Sequence, residues 1–370
     1  MYSFLFGKNV IGDTPRSKLV CEYFSLSVIR EVVQGEGKAD NRTMPLPNDE
    51  RVVALADELV KQFDTIFGLH PGFRPAHAKG MLVTGAFTPA AGASEISRAP
   101  HFANGTTTPV TVRFSNSTGI PVIPDNDANA NPRGMAVRFH LGERVHTDIV
   151  SHSADGFPTR TGQEFLEFLR ALAASSDGAK GSAPTPIEEY LGAHPKALAF
   201  VQMPKPTPVS FAREAYFGVT AMRFVNQAGA GIFGRYRIVP EAGVEALEDS
   251  AAAKRSANFL FDELAERVGR GAIEFRVMAQ LAGEGDVVDD ATVHWPESRA
   301  VVELGKITLR TAVASDAEEQ RHIIFDPIPR VDGIEASADP LLELRAAVYL
   351  ISGRRRRGAE VGRSAKIGTA

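Results

Sequence analysis

Short runs of alternating apolar and polar residues recur on both sides of a helical stretch, and that recurrence limits the folds open to this 370-residue chain. Residues 81–84, 110–114, 135–139 and 148–150 form a first group, separated by clusters of Gly, Pro, Asn and Asp. Residues 222–225, 236–239, 273–277 and 307–310 form a second. Period-two runs bounded by turn residues read as strands. Between the groups, residues 163–173 carry helix spacing through Phe165, Leu166, Phe168, Leu169 and Leu172, and residues 257–268 form an amphipathic helix. An earlier helix follows Asp49 through Val52, Val53, Ala56, Leu59, Val60, Phe63 and Phe67, with Pro71-Gly72 as its stop. No repeat of solenoid period is present. Strands on both sides of helical inserts predict an α+β protein, one antiparallel β-barrel with helices packed outside it.

Residues 1–48 show little periodicity and are expected as an N-terminal arm. Residues 49–357 read as one domain, 358–370 as a tail, and the Ser-, Gly- and Pro-rich stretch 175–186 as a surface loop. An apolar content of 44% with 23% charged residues suits an ordinary globular protein. No apolar run reaches bilayer length. The start lacks a basic leader and a small-residue cleavage site, so a secretory signal is not expected. Cys21 is the single cysteine, which excludes an internal disulfide or a thiolate cluster and fits a reducing compartment, most simply the cytoplasm. The net charge of −4 gives no general reason to bind nucleic acid. The run Arg354-Arg355-Arg356-Arg357 is the local exception, and no aromatic residue interleaves with it.

Near the end of the chain, Asp339-Pro340 reads as an N-cap and first-turn proline, and the helix it opens carries Arg345 and Tyr349. A spacing of four puts both side chains on one face, one turn apart. A guanidinium held against a phenol favours the anionic form, and a phenolate is one of the few protein groups able to hold haem iron. Alone, the pair also fits a surface arginine over a core tyrosine.

Three upstream segments narrow the choice: Arg74-Pro75-Ala76-His77-Ala78, Thr111-Val112-Arg113-Phe114-Ser115, and Pro132-Arg133-Gly134-Met135-Ala136-Val137-Arg138-Phe139. Later come Val293-His294-Trp295-Pro296, Gly305-Lys306-Ile307-Thr308-Leu309, Ile324-Phe325-Asp326-Pro327 and the segment from Gly333 to Pro340. In this order, from about residue 70 to 357, they resemble the haem catalase family. The short chain is most similar to the small catalase-related peroxidases. The resemblance implies a catalase-like antiparallel barrel with surrounding helices and a C-terminal proximal haem helix. It implies ferric haem b held by Tyr349, the expected axial ligand, with Arg345 beside it. Catalase is the standard example of tyrosine-held haem iron. It also implies His77 as the distal acid–base group, Arg74, Arg113 and Arg356 against the haem propionates, and Phe165 against the haem face, with a plain core phenylalanine as the alternative reading of Phe165. Imidazole can take and return a proton, and guanidinium pairs bidentately with carboxylates. Leu350-Ile351-Ser352-Gly353 replaces the family's usual Pro-Asp-Thr-His, which loosens the assignment of Arg356.

One departure concerns the distal pocket. The family's strand Asp-Leu-Val-Gly-Asn-Asn here reads Asp148-Ile149-Val150-Ser151-His152-Ser153, with His152 at the first asparagine. Strand alternation puts Val150 and His152 on one face. An imidazole is larger than an amide and titratable, which disfavours efficient dismutation of hydrogen peroxide. A shifted strand with His152 facing solvent is the alternative. His140 and His146 lack a ligand spacing and read as solvent-facing strand histidines.

The leading expectation is a haem-dependent peroxidase that reduces hydroperoxides, organic ones above all, with a small-molecule electron donor. Three alternatives stay open: a true catalase, a donor-free fatty-acid hydroperoxide lyase or isomerase, and a non-catalytic haem binder. A homo-oligomer is compatible with the sequence.

Overall fold

The computed structural model describes residues 46–176 and 184–367, with side chains as far as residue 359. Most of the expected N-terminal arm and the middle of the loop read at 175–186 lie outside the described residues. The first described helix, α1 (Glu50–Phe67), is capped by Asp49, whose carboxylate accepts from the Arg51 amide, and it ends at Gly68 with φ 84°. That left-handed turn, rather than Pro71-Gly72, stops the helix, because glycine adopts positive φ without steric cost.

Eight strands then close a barrel. They are β1 (Gly80–Pro89), β2 (Thr108–Ser115), β3 (Gly134–Gly142), β4 (Val145–His152), β5 (Tyr216–Phe217), β7 (Gly231–Pro240), β8 (Ile273–Leu281) and β9 (Val301–Ala312); a short β6 (Met222–Val225) lies outside the ring. The ring runs β7-β5-β4-β3-β2-β1-β9-β8 and returns to β7, every pair antiparallel. Strand β6 pairs with the start of β7 and carries β10 (Ile334–Ala336) on its other edge. Closure leaves no open edge on the ring itself.

Alternation decides what lies inside. Val110, Val112 and Phe114 of β2, Met135, Val137 and Phe139 of β3, and Phe275 and Val277 of β8 are at most 1% exposed and belong to one core cluster. Each such phenylalanine contributes about 2 kcal/mol by leaving water. The opposite set, Arg113 and Ser115 of β2 and Val150 and His152 of β4, therefore points to the barrel's outer face. Pairing aligns them in rows: Ser115 opposite Gly134 opposite His152, and Arg113 opposite Ala136 opposite Val150.

Helices cover this face. A second apolar cluster joins α1, α2 (Gly162–Ser176) and the long C-terminal helix around Leu59, Leu166, Leu169, Leu344 and Ala347. Helices α3 (Pro186–Ala193) and α4 (Pro195–Gln202) follow α2, α5 (Phe259–Arg270) precedes β8, and α6 (Asp316–His322) follows β9. The C-terminal helix, α7 (Leu341–Ile367), opens as its sequence predicts, the Leu341 amide donating to Asp339 Oδ1 at 2.9 Å. Glycines set its two closest approaches. A Cβ on Gly162 would stand 1.9 Å from Leu344, and one on Gly353 would stand 2.2 Å from Ile324. Gly353, at one of the positions where the sequence leaves the family pattern, thus lets the segment after α6 cross α7 at contact distance.

Candidate active site

The outer face of β2–β3–β4 and the inner face of α7 bring the expected residues together. His77 lies in the turn before β1 with φ 55°, an uncommon conformation for a residue with a side chain. Its backbone is held on both sides: its amide donates to Ser117 O at 2.9 Å, and its carbonyl accepts from an Arg113 terminal nitrogen at 2.9 Å. Nδ1 sits 3.1 Å from Ser115 Oγ. The ring fits because residue 134 has no side chain, a Cβ there standing 2.5 Å from Ser115 Oγ and 2.8 Å from His77 Nδ1. Burial, then the charges of Arg113, His152, Arg74 and Arg345, push the imidazole down to about 3, so it is a neutral base at ordinary pH.

His152 stands on the same face, opposite Gly134 in the sheet, and is half-buried rather than turned to solvent. The Ala154 amide donates to its Nδ1 at 3.3 Å, so the neutral ring carries its proton on Nε2. Burial, followed by the Arg345 charge, holds it down to about 4. Within the pocket, therefore, His152 is a neutral N–H donor, as an asparagine amide would be. Its size, not its charge, is what distinguishes it.

On the other side, Arg345 donates to the Tyr349 hydroxyl at 3.3 Å, and its guanidinium lies 5.8 Å from the phenol ring centre. Arg345 also borders a small cavity with Val150, Asp148 and Tyr236, which ties α7 to the outer face of β4. Phe165 of α2 packs among Phe63, Phe157 and Phe168, with Val348 and Ile351 of α7 in the same cluster.

Three arginines line the edge of the site. Arg74 donates to the carbonyls of Gln320 and Ile323 at 3.2 and 3.1 Å. Arg113 donates to Gln320 Oε1 at 2.7 Å as well as to the His77 carbonyl. Arg356, 2% exposed, donates to Ser352 Oγ and to the same Ile323 carbonyl, both at 2.8 Å. No carboxylate among the described residues forms an ion pair with any of them. Burial lowers all three, Arg113 to about 9 and Arg356 to about 8, and neighbouring arginines add to the effect. The buried Nε of Arg356 has no partner. Unpaired buried cations cost on the order of several kcal/mol each, so this cluster calls for an anion.

Several contributors were not singled out from the sequence. Ser115 and Gly134 sit inside motifs that were, and strand register would have found them. Gln320 and the Ile323 carbonyl carry no local signal, since they reach the arginines through the crossing that Gly353 permits. His140 and His146 are on the same outer face but at the far end of the strands, with His140 Nε2 2.9 Å from Thr111 Oγ1.

Fold and site define a closed antiparallel barrel with a tyrosine on the C-terminal helix, an arginine cluster and two neutral histidines gathered at its outer face. A profile of the catalase family matches residues 71–363. The chain belongs to the catalase family. A catalase-related peroxidase of Mycolicibacterium paratuberculosis is 34% identical over 304 residues, spanning 80% of this chain and 93% of that relative. A catalase-related peroxidase of Synechococcus elongatus is 31% identical, spanning 82% and 89%. Among solved structures, a bacterial catalase superposes with a TM-score of 0.67 at 22% identity, covering 88% of this chain and 64% of its own. Catalase A from Saccharomyces cerevisiae gives 0.68 at 20%, covering 86% and 67%. These structural likenesses concern the fold. Catalases are haem proteins, and the residues present fit that group: a phenol able to face iron, and three cations with one orphaned donor suited to two propionates.

Proposed function

We infer that the protein is a haem-dependent peroxidase, reducing hydroperoxides with electrons from an external donor. The observation that carries this reading is the pairing of a neutral, backbone-clamped His77 with the Arg345–Tyr349 couple on facing elements. Ferric haem b bound here would be held by the Tyr349 oxygen and by Arg74, Arg113 and Arg356 at its carboxylates. When bound, it supplies the two-electron chemistry of peroxide cleavage.

The chain's own residues do the rest. Beside such a bound haem, His77 would take a proton from one peroxide oxygen and return it to the leaving oxygen, for which a neutral imidazole is needed. His152 Nε2–H donates to a peroxide oxygen and orients it. Arg345 donates to the Tyr349 oxygen and fixes its place on α7. His152 fills more space than an amide, which favours one organic hydroperoxide over two successive hydrogen peroxides. Extended likeness to relatives named catalase-related peroxidase supports the same reading. The single cysteine supports a cytoplasmic setting.

The test is a visible spectrum of the purified haem-loaded protein, followed by oxygen-electrode and dye-oxidation assays. Donor oxidation with little oxygen release is the expected result. Vigorous oxygen release from hydrogen peroxide would make it a catalase, and donor-free consumption of a lipid hydroperoxide would make it an isomerase.

A further inference from the structure

An aromatic file leads from the haem-face candidate to the surface. Phe165 packs parallel to Phe168, 6.3 Å between ring centres and 13° between planes. Phe168 meets the edge of Tyr190 at 5.8 Å. Tyr190 in turn stacks on His194 at 3.9 Å and 11°. The file begins in the cluster that contains Val348 and Ile351, the residues flanking Tyr349 and its following turn on α7. It ends on α3, where both Tyr190 and His194 are half-buried and so reach solvent.

Packing alone explains the phenylalanines, but it does not explain how the file ends. The file ends on Tyr190 and His194, both of which reach solvent. Tyr216 and Tyr236, by contrast, are fully or nearly buried, and Tyr349 belongs to the site itself. Among the described residues, Tyr190 is the tyrosine outside the site that reaches solvent. Its position is fixed from two sides: the hydroxyl donates to Glu164 O at 2.9 Å, and His194 Nδ1–H donates to Tyr190 O at 2.8 Å. Phenol is the most easily oxidised group in the file. The phenylalanine rings, with centre separations of 6.3 and 5.8 Å along the file, provide a short tunnelling bridge without themselves being oxidised.

We propose that Tyr190 is the entry point for electrons from a donor too bulky to reach the haem, passing them inward across Phe168 and Phe165. The proposal rests on the peroxidase reading and on Phe165 facing the haem. Cleavage of one hydroperoxide consumes two electrons and two protons and yields an alcohol and water. Each electron leaves Tyr190 together with the phenol proton, which goes to water at the half-exposed helix. The resulting phenoxyl recovers one electron and one proton from the external donor, so two donor oxidations balance one peroxide. Burial pushes the Tyr190 phenol up to about 12, which keeps the proton in place until the electron departs.

The experiment uses the haem-loaded full chain, with and without ring-deuterated tyrosine, mixed with cumene hydroperoxide and freeze-quenched for electron paramagnetic resonance. A radical signal that narrows with deuterated tyrosine and vanishes in Tyr190→Phe is expected, and Phe keeps the stacking on His194. Oxidation of a bulky dye should fall roughly tenfold in that variant. The spectral change of the bound haem on peroxide addition should be unaltered. Phe168→Leu should slow the appearance of the tyrosine signal. Dye oxidation that survives in Tyr190→Phe overturns the proposal, whatever the radical does, and so does a wild-type signal that deuteration leaves unchanged. If peroxide fails to alter the haem spectrum of the wild type, the peroxidase reading falls first.

Discussion

His77 and Ser115 share a hydrogen bond, Nδ1 to Oγ at 3.1 Å, across the bare Cα of Gly134. That bond leaves Nε2 as the nitrogen free to serve a substrate. It also makes the position of the proposed base depend on the absence of an atom, since any side chain at 134 would displace the ring or the hydroxyl.

The first expectation concerns this arrangement. His77→Ala should retain bound haem but react with peroxide roughly two to four orders of magnitude more slowly. Gly134→Ala should also react slowly, with haem content unchanged, because the imidazole is pushed off its line. Stopped-flow rates within a few-fold of wild type in both variants would place the proton transfers elsewhere.

A second expectation follows from the depressed values of His77 and His152, about 3 and about 4. Both rings titrate near 6.5 when unfolded, so between these limits the unfolded chain binds more protons. Their contribution to stability is complete above about 6.5 and is lost as pH falls through the folded values. Denaturant midpoints of the apoprotein should therefore decline steadily below neutrality. The acid limb of the peroxide reaction should lie well below 6.5. A limb centred on the ordinary imidazole value would show that the base is not held neutral by burial.

For cofactor retention, Tyr349 and the arginines make separable predictions. Tyr349→Phe should lose most of its haem or show a changed iron-ligand spectrum. Arg74→Met should weaken haem binding while leaving the apoprotein no less stable, because it removes one of three unpaired charges. Thermal melts of apo and haem-loaded protein give both readings. An apoprotein melt that drops sharply in Arg74→Met would mean that the arginine's two carbonyl bonds outweigh the repulsion.

Much of this was legible in the sequence because it depends on local period. Alternation in residues 110–114 and 148–150 gave strands and put Val150 and His152 on one face; that Arg113 shares this face, and that the face is the barrel's outer one, follows only from strand register and burial. The Asp339-Pro340 start and four-residue spacing gave the helix that pairs Arg345 with Tyr349. Other features depend on contacts distant in sequence and leave no local trace. Gln320 bridges Arg113 to Asp316, and the Ile323 carbonyl serves both Arg74 and Arg356. Helices α3 and α4 were read as neither helix nor site, yet α3 carries Tyr190. The protonation of His152 was equally hidden, since titratability suggested a charge that burial and the Ala154 amide remove.

The last prediction tests that residue. His152 donates from Nε2 as a neutral group, so replacing it with asparagine keeps a neutral donor and changes mainly the volume. The space gained lies beside Gly134, directly under the His77 ring. A second hydrogen peroxide could then be held against the first. Oxygen evolution by His152→Asn should rise several-fold at equal haem content, and donor oxidation with an organic hydroperoxide should fall or stay level. Dye oxidation and oxygen release measured on the same preparations provide the check. A variant with no gain in oxygen, beside a wild type whose oxygen release already matches its donor oxidation, would show that His152 does not set the balance and that the protein dismutates hydrogen peroxide as larger catalases do.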